Sequence, residues 1–291
     1  MTVIIAGCGD LGIATGLRFA ASGHRVVGLR RRAERIPAPL EGRSVDLQRD
    51  VPTIDPDTEV VVVALAAGSR DVDTYRATYV DGLRNVLDGI DASTATPRLL
   101  VVSSTAVYGG DGAVDEATPA TGGTPTADVL LEAEALLRSR APEATLVRLS
   151  GIYGPGRERL VDQVRSGTVT LATTPEGSRM TNRIHRDDAA AVLVHLASLG
   201  SPLPLVIGTD DEPVRLDTVS RFIADELGVP LPAPAAPQDA EPGVLARRTP
   251  APGSDKRLSN ALLRSTGFAF AYPTYREGYR AVIAGEGVRH P

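Results

Sequence analysis

Ser103-Ser104-Thr105-Ala106-Val107-Tyr108-Gly109 sets three hydroxyls side by side at the end of an apolar run, Arg98 to Val102. A hydroxyl at the end of a strand can hydrogen-bond a substrate carbonyl or alcohol, which makes Ser104 and Thr105 candidates for substrate activation. Tyr153, in Gly151-Ile152-Tyr153-Gly154-Pro155-Gly156, offers a phenol as a third candidate, and Tyr108 offers another, although both suit packing equally well. His185 and Asp187 pair an imidazole with a carboxylate, but residues two apart do not share a helix face. His195 falls inside an apolar helical stretch, Ala189 to Leu199, and reads as a helix-face residue rather than a ligand. Asp128 is a further acid, and Arg179 and Met180 are candidate lining for a substrate pocket. The four histidines and the single cysteine are scattered, so no metal site is expected.

A second group of residues is suited to phosphate. Val3 to Ala6 is a short apolar run of the kind buried on both faces of a parallel sheet. Gly7-Cys8-Gly9-Asp10-Leu11-Gly12 follows it, and then helical spacing at Leu11, Thr15, Phe19 and Ala20. Strand, G-x-G-x-x-G and helix in that order form a dinucleotide-binding pattern. Gly7 permits the turn, Gly9 the approach of a pyrophosphate, and Gly12 close packing of helix on strand. Asp10 and Leu11 begin the helix, whose N–H groups and positive dipole end favour phosphate. The next strand, Arg25 to Leu29, ends in Arg30-Arg31-Arg32 where an NAD site would carry an acid. A carboxylate there would repel a 2′-phosphate, whereas a guanidinium grips it in a bidentate way, so NADPH is favoured over NADH, with Arg30 and Arg31 as the phosphate ligands. Asp46 and Leu47, at the end of a third strand over 43–47, flank the adenine. Ala66 and Ala67 close a fourth strand over 59–67, and Ser103 completes the cofactor side.

These groups need a scaffold of alternating strands and helices. The chain reads as α/β, a Rossmann-type doubly wound parallel sheet with a smaller C-terminal α/β substrate region. Residues 1–155 form the dinucleotide-binding domain and 156–291 the smaller region, interleaved with the first over 182–208. Tyr75, Tyr79, Leu83, Val86, Leu87 and Ile90 give 71–90 a helical spacing suited to the core or to a homodimer face. Residues 168–172 and 203–207 read as short strands, and 216–227 as an amphipathic helix. Residues 229–252, rich in Pro and Ala, read as an exposed connector. A final pair of helical segments follows Lys256.

With 42% hydrophobic and 23% charged residues the chain is ordinary for a globular protein. A net charge of −5 gives no case for nucleic acid or an anionic membrane surface, and no apolar run is long enough to span a bilayer. The first segment lacks a basic stretch and the only cysteine is Cys8, so a cytoplasmic, reducing location is expected.

Taken together, these stretches resemble the extended short-chain dehydrogenase/reductases, the NAD-dependent epimerase/dehydratase group. The resemblance rests on the Ser103–Gly109 run, on Arg148 to Arg157 with its Tyr153-Gly154-Pro155-Gly156 turn, on Asn182-Arg183-Ile184-His185-Arg186-Asp187-Asp188, and on Pro273-Thr274-Tyr275-Arg276-Glu277-Gly278. It implies that Ser104 is the family's catalytic serine or threonine. It also implies a Tyr-x-x-x-Lys pair in the helix that contains Glu134, where the lysine lowers the tyrosine's pKa and holds the nicotinamide ribose. This chain departs there: Thr126 stands at the tyrosine position and Leu130 at the lysine position. The only lysine is Lys256, and position 252 is proline, so the pair occurs nowhere in the chain. The glycine motif is also shorter than the family's usual G-x-x-G-x-x-G.

The expected function is an NADP-dependent oxidoreductase or epimerase-like enzyme acting on a small polar molecule through an active site without Tyr-x-x-x-Lys. The alternative is a catalytically inactive dinucleotide-binding sensor or scaffold.

Overall fold

The computed structural model describes residues 1–172, 177–233 and 255–291. The chain starts with β1 (Thr2–Ala6), α1 (Asp10–Ala21), β2 (Arg25–Arg30), β3 (Glu41–Ser44) and β4 (Thr58–Val63). A long helical passage follows, made of α2 (Val72–Tyr75), a π-helical stretch (Arg76–Asp81) and α3 (Gly82–Asp91). Then come β5 (Arg98–Ser104), a 3₁₀ turn (Thr105–Val107), β6 (Gly112–Val114), α4 (Pro125–Arg140) and β7 (Thr145–Leu149). The second half holds β8 (Gly151–Tyr153), α5 (Arg159–Arg165), β9 (Met180–Thr181), β10 (Arg183–His185), α6 (Arg186–Ser198) and β11 (Leu205–Gly208). It closes with β12 (Val214–Arg215), α7 (Leu216–Leu227), β13 (Lys256–Leu258), α8 (Ala261–Ser265) and α9 (Tyr275–Ile283).

The main sheet has seven parallel strands in the order β11-β7-β5-β4-β1-β2-β3. Every residue of β1 is buried, and Val3 to Ala6 are all apolar, as a strand covered on both faces requires. One apolar layer joins α1 and α6 to the sheet, with Ile5, Phe19, Val192 and Leu196 at its centre. The other lies under α3 and α4, around Ile4, Val61, Leu83 and Leu137. Strand order reverses between β1 and β4. At such a switch point the connections leave toward opposite sides and open a crevice beyond the carboxyl ends of the strands.

β11 belongs to this sheet, paired in parallel with β7, although α5 and the small strands β8 to β10 separate the two in sequence. The smaller region packs α5, α7 and α9 around Val161, Val219, Ile223 and Tyr279. Its helices are well delimited. Gly228 ends α7 at φ 66°, and a reciprocal Thr274–Glu277 capping box starts α9.

Three expectations about elements need correction. Residues 168–172 form no strand; the chain leaves α5 through hydrogen bonds from the Thr168 and Val169 N–H groups to the Gln163 carbonyl. The third strand ends at Ser44 and the fourth at Val63, so Asp46, Leu47, Ala66 and Ala67 lie in the loops beyond them. The helix over 71–90 contains a π-helical stretch, which shifts its Tyr75 end out of the helical repeat. From residue 234 on, the expected connector lies outside the described residues. Among the described residues no helix is long and apolar enough to cross a membrane.

Candidate functional site

A cleft of about 830 Å³ runs along the carboxyl ends of the sheet. At one end it is lined by Arg30, Arg31, Arg32 and Asp46, in the middle by Gly7, Gly9, Asp10, Leu11 and Ala66, and at the other end by Ser103, Ser104, Tyr108, Thr126 and Lys256.

The glycine loop is built to take a ligand. Gly7 has φ +86°, and a Cβ there would fall 2.7 Å from the Ala64 carbonyl oxygen, so only glycine fits. A Cβ on Gly9 would meet nothing within 4 Å: the backbone presents open space where a side chain would otherwise stand. Helix α1 starts directly behind it and no side chain caps its first turn. An uncapped N-terminus beside this open stretch of backbone fits a pyrophosphate. Asp10 is restrained at the same spot. Its Oδ2 accepts from Arg157 Nε at 2.7 Å and its Oδ1 from Arg186 Nη1 at 2.8 Å. Burial alone would raise its pKa, but these two guanidiniums hold the carboxyl below the usual range.

At the arginine end, Arg31 and Arg32 are exposed, while Arg30 is half-buried and donates from Nη1 to the Pro291 carbonyl at 3.0 Å. The residues just before Pro291 are anchored too: Arg186 Nη1 donates to the Val288 carbonyl at 2.9 Å.

At the opposite end, Ser104 caps the 3₁₀ turn, its Oγ accepting from the Ala106 N–H at 3.2 Å, and its side chain reaches the cleft. Ser103 faces the sheet as well as the cleft and donates to Glu134 Oε1 at 2.6 Å. Glu134 is also held by Arg148, through Nε at 3.1 Å and Nη2 at 2.5 Å. The Arg148 guanidinium lies 4.8 Å from the centre of the Tyr108 ring. α4, β5 and β7 are thereby locked together behind the Ser104 turn. Thr126 and Leu130, at the positions of the family's tyrosine and lysine, both line the cleft.

Several sequence candidates lie elsewhere. Tyr153 does not reach the cleft. Its ring stacks on Tyr279 with centroids 4.5 Å apart, and burial pushes its pKa well above the ordinary tyrosine value, which is the reverse of what a proton donor needs. Thr105 is buried, and only its neighbours Ser104 and Ala106 line the cleft. Gly12 packs under the loop, where a Cβ would fall 2.8 Å from the Gly7 carbonyl oxygen. Ala67 points away, its N–H donating to the Tyr79 hydroxyl at 3.4 Å. His185 is the N-cap of α6: Nδ1 accepts from the Asp187 N–H, and burial drives its pKa down to about 4, so the ring is neutral. His195 bonds Thr266 at 2.7 Å. Asp128 accepts from the Gly123 N–H, and Met180 pairs in β9 with β12. Arg179 likewise falls outside the cleft lining.

Other residues line the cleft without having been expected there. Tyr75, Thr78 and Tyr79 border it, where α2 passes into the π-helical stretch. Lys256 also borders it, carried in from the far end of the chain. Its being the only lysine is the signal that singles it out. Among the described residues no cluster of His, Cys, Asp and Glu could hold a metal.

Comparison with known proteins agrees with this architecture. The sequence profile of the NAD dependent epimerase/dehydratase family matches residues 3–208. A solved structure from Methylobacillus flagellatus, provisionally described as an NAD-dependent epimerase/dehydratase, is 36% identical, with 98% of each chain covered and a TM-score of 0.76. A conserved protein of unknown function from Silicibacter pomeroyi DSS is 26% identical, covering 98% of this chain and 99% of its own, with a TM-score of 0.75. The UDP-glucuronic acid 4-epimerase of Bacillus cereus, solved with NAD, shares the fold at 14% identity, with 97% of each chain covered and a TM-score of 0.76. No curated protein matches the chain.

Proposed function

Because the chain belongs to the NAD dependent epimerase/dehydratase family, we propose that it is an NADP-dependent oxidoreductase or epimerase-like enzyme of the cytoplasm, acting on a small polar substrate through an active site without Tyr-x-x-x-Lys. The observation that carries this reading is the continuity of one cleft from Arg30, Arg31 and Arg32, past the open Gly9 backbone, to Ser104. The arginines suit a 2′-phosphate, the uncapped α1 terminus a pyrophosphate, and Ser104 a substrate carbonyl or imine. When bound, a nicotinamide supplies or takes a hydride. The protein's part is to orient the carbonyl by a hydrogen bond from Ser104 and to keep the reacting end away from bulk water behind Tyr108 and Leu130. The buried, unpaired Cys8 suits a reducing compartment.

A second reading is a dinucleotide-binding sensor without turnover. Thr126 and Leu130 favour it, since both stand in the cleft where proton-transfer groups are expected.

Fluorescence titration with NADPH and NADH tests the cofactor assignment. Micromolar NADPH binding is expected. Replacing both Arg30 and Arg31 by Ala weakens it roughly 10- to 100-fold, because a charge-assisted hydrogen bond contributes about 1.5–3 kcal/mol, and leaves NADH unchanged. Equal loss for both nucleotides would refute the phosphate role. NADPH consumption with a panel of aldehydes, ketones and imines then separates enzyme from sensor.

A further inference from the structure

We propose that Lys256 is a catalytic residue of this cleft, the cation that binds the substrate's carbonyl oxygen beside Ser104 and delivers its proton. The inference rests on the oxidoreductase reading above and gives it the proton donor it otherwise lacks.

The geometry is specific. Lys256 Nζ donates to the carbonyl oxygens of Thr105 at 2.9 Å and Tyr108 at 2.7 Å, the first residue and the C-cap of the 3₁₀ turn that Ser104 opens. An ammonium has three N–H groups. Two are fixed by these carbonyls, and the third is left for the cleft that the side chain lines. The amine is thereby held against the turn that Ser104 opens, and both residues line the same cleft.

The element that carries Lys256 is itself held in place. β13 pairs in parallel with β6, setting Lys256 opposite Gly112. Asn182 clamps the same strand through both ends of its amide: Nδ2 donates to the Lys256 carbonyl and Oδ1 accepts from the Leu258 N–H, each at 2.9 Å. Asp255 is tied by its N–H to Asp111 at 2.8 Å and by its carboxylate to Arg215 at 3.2 Å. A lysine needed only for solubility would not be fixed in this way.

The electrostatics suit proton delivery. Burial pushes the Lys256 pKa below the ordinary lysine value, and the nearby Asp111 only partly offsets this. A less basic ammonium is a better acid near neutral pH. In the step itself the Nζ–H bond breaks and its electron pair stays on nitrogen. The proton forms an O–H bond with the oxygen on which negative charge develops, and the neutral amine regains a proton from water. Leu130 has no such group, so the charge missing from α4 is supplied by β13.

The chain's only lysine allows a direct test. Lysine labelled with ¹³C at Cε gives one resonance in the full-length protein, and its pH titration is followed with and without saturating NADP⁺. The proposal expects a midpoint below that of free lysine, and a shift of the resonance when NADP⁺ enters the cleft. A midpoint at the free-lysine value, with no response to NADP⁺ that fluorescence shows to be bound, would overturn it. If NADP⁺ does not bind at all, the cofactor reading has failed, and the midpoint alone decides: lowered, the acidic amine stands; ordinary, it falls. In parallel, Lys256→Met is expected to keep NADPH affinity within a few-fold and to lose roughly 10²–10⁴-fold in turnover. Lys256→Arg keeps the charge but has no dissociable proton near neutral pH, so it is expected to stay slow. Full activity in the arginine variant would reduce Lys256 to a structural cap of the turn.

Discussion

At the scale of single residues, the molecule spends its polar groups unevenly. Asp210 is buried, and its Oδ2 has no hydrogen-bond partner among the described residues. Arg183 lies close enough for its charge to act on Asp210, yet its Nη1 is also unpartnered among them. Burial outweighs that guanidinium and pushes the Asp210 pKa up to about 8. A folded-state pKa above the unfolded one means that, from about pH 4 to about pH 8, the native protein holds a proton the unfolded chain has already lost. The contribution of Asp210 to stability therefore falls as pH rises through this window, by at most about 1.4 kcal/mol for each pH unit crossed. Between about pH 4 and pH 6.5 the buried, neutral His185 changes stability in the opposite sense, so thermal unfolding is expected to show the decline from about pH 6.5 to about pH 8. Asp210→Asn, which carries no charge, is expected to flatten it and to melt higher at the alkaline end by a few degrees. A wild-type profile flat across that range would contradict the assignment.

Among the secondary-structure elements, the Ser104 turn owes its position to the buried ion pair behind it. Glu134 of α4 accepts from Ser103 of β5 and Arg148 of β7, and the pair's side chains are only 8% and 9% exposed. Removing one partner leaves the other charged and buried. Glu134→Ala is therefore expected to lower unfolding free energy by about 3–5 kcal/mol in urea titrations. Replacing both, as Glu134→Leu with Arg148→Met, recovers most of that loss, because the isolated charge is gone. A small effect of the single change would mean that water reaches the pair.

The same elements show which parts of the site were legible in sequence. The glycine loop was, because Gly7, Gly9 and Gly12 act through their own backbone and their immediate neighbours. Ser104 could be located because its turn follows directly from β5. Tyr153 reads as a reactive phenol until its ring is seen stacked on Tyr279, a partner from α9 that no local pattern announces. Tyr75 and Tyr79 read as core or a dimer face, and they do pack against the core, but they border the cleft as well, which helical spacing does not show. Lys256 was hidden most completely. It reaches the site through β13–β6 pairing and the Asn182 clamp, contacts between parts of the chain far apart in sequence.

For the whole molecule, the main sheet is not confined to residues 1–155. β11 completes the main sheet after β8 to β10 and α5 have left it. A fragment of residues 1–155 would expose the edge of β7 and lose the cover of α6 on α1. Such a fragment is expected to aggregate or remain poorly folded by circular dichroism and amide NMR, whereas one ending after β11 retains the sheet. A well-dispersed spectrum from 1–155 would show that β7 tolerates being an edge.

The late arrival of β13 also sets an order of events during synthesis. A ribosome adds roughly 5–20 residues per second, so several seconds separate the emergence of β11 from that of Lys256. For that interval every strand of the main sheet, the glycine loop and the row of arginines have been made, and Lys256 has not. Val288 and Pro291, which meet Arg186 and Arg30, follow later still, so both ends of the cleft are completed by segments made after the main sheet.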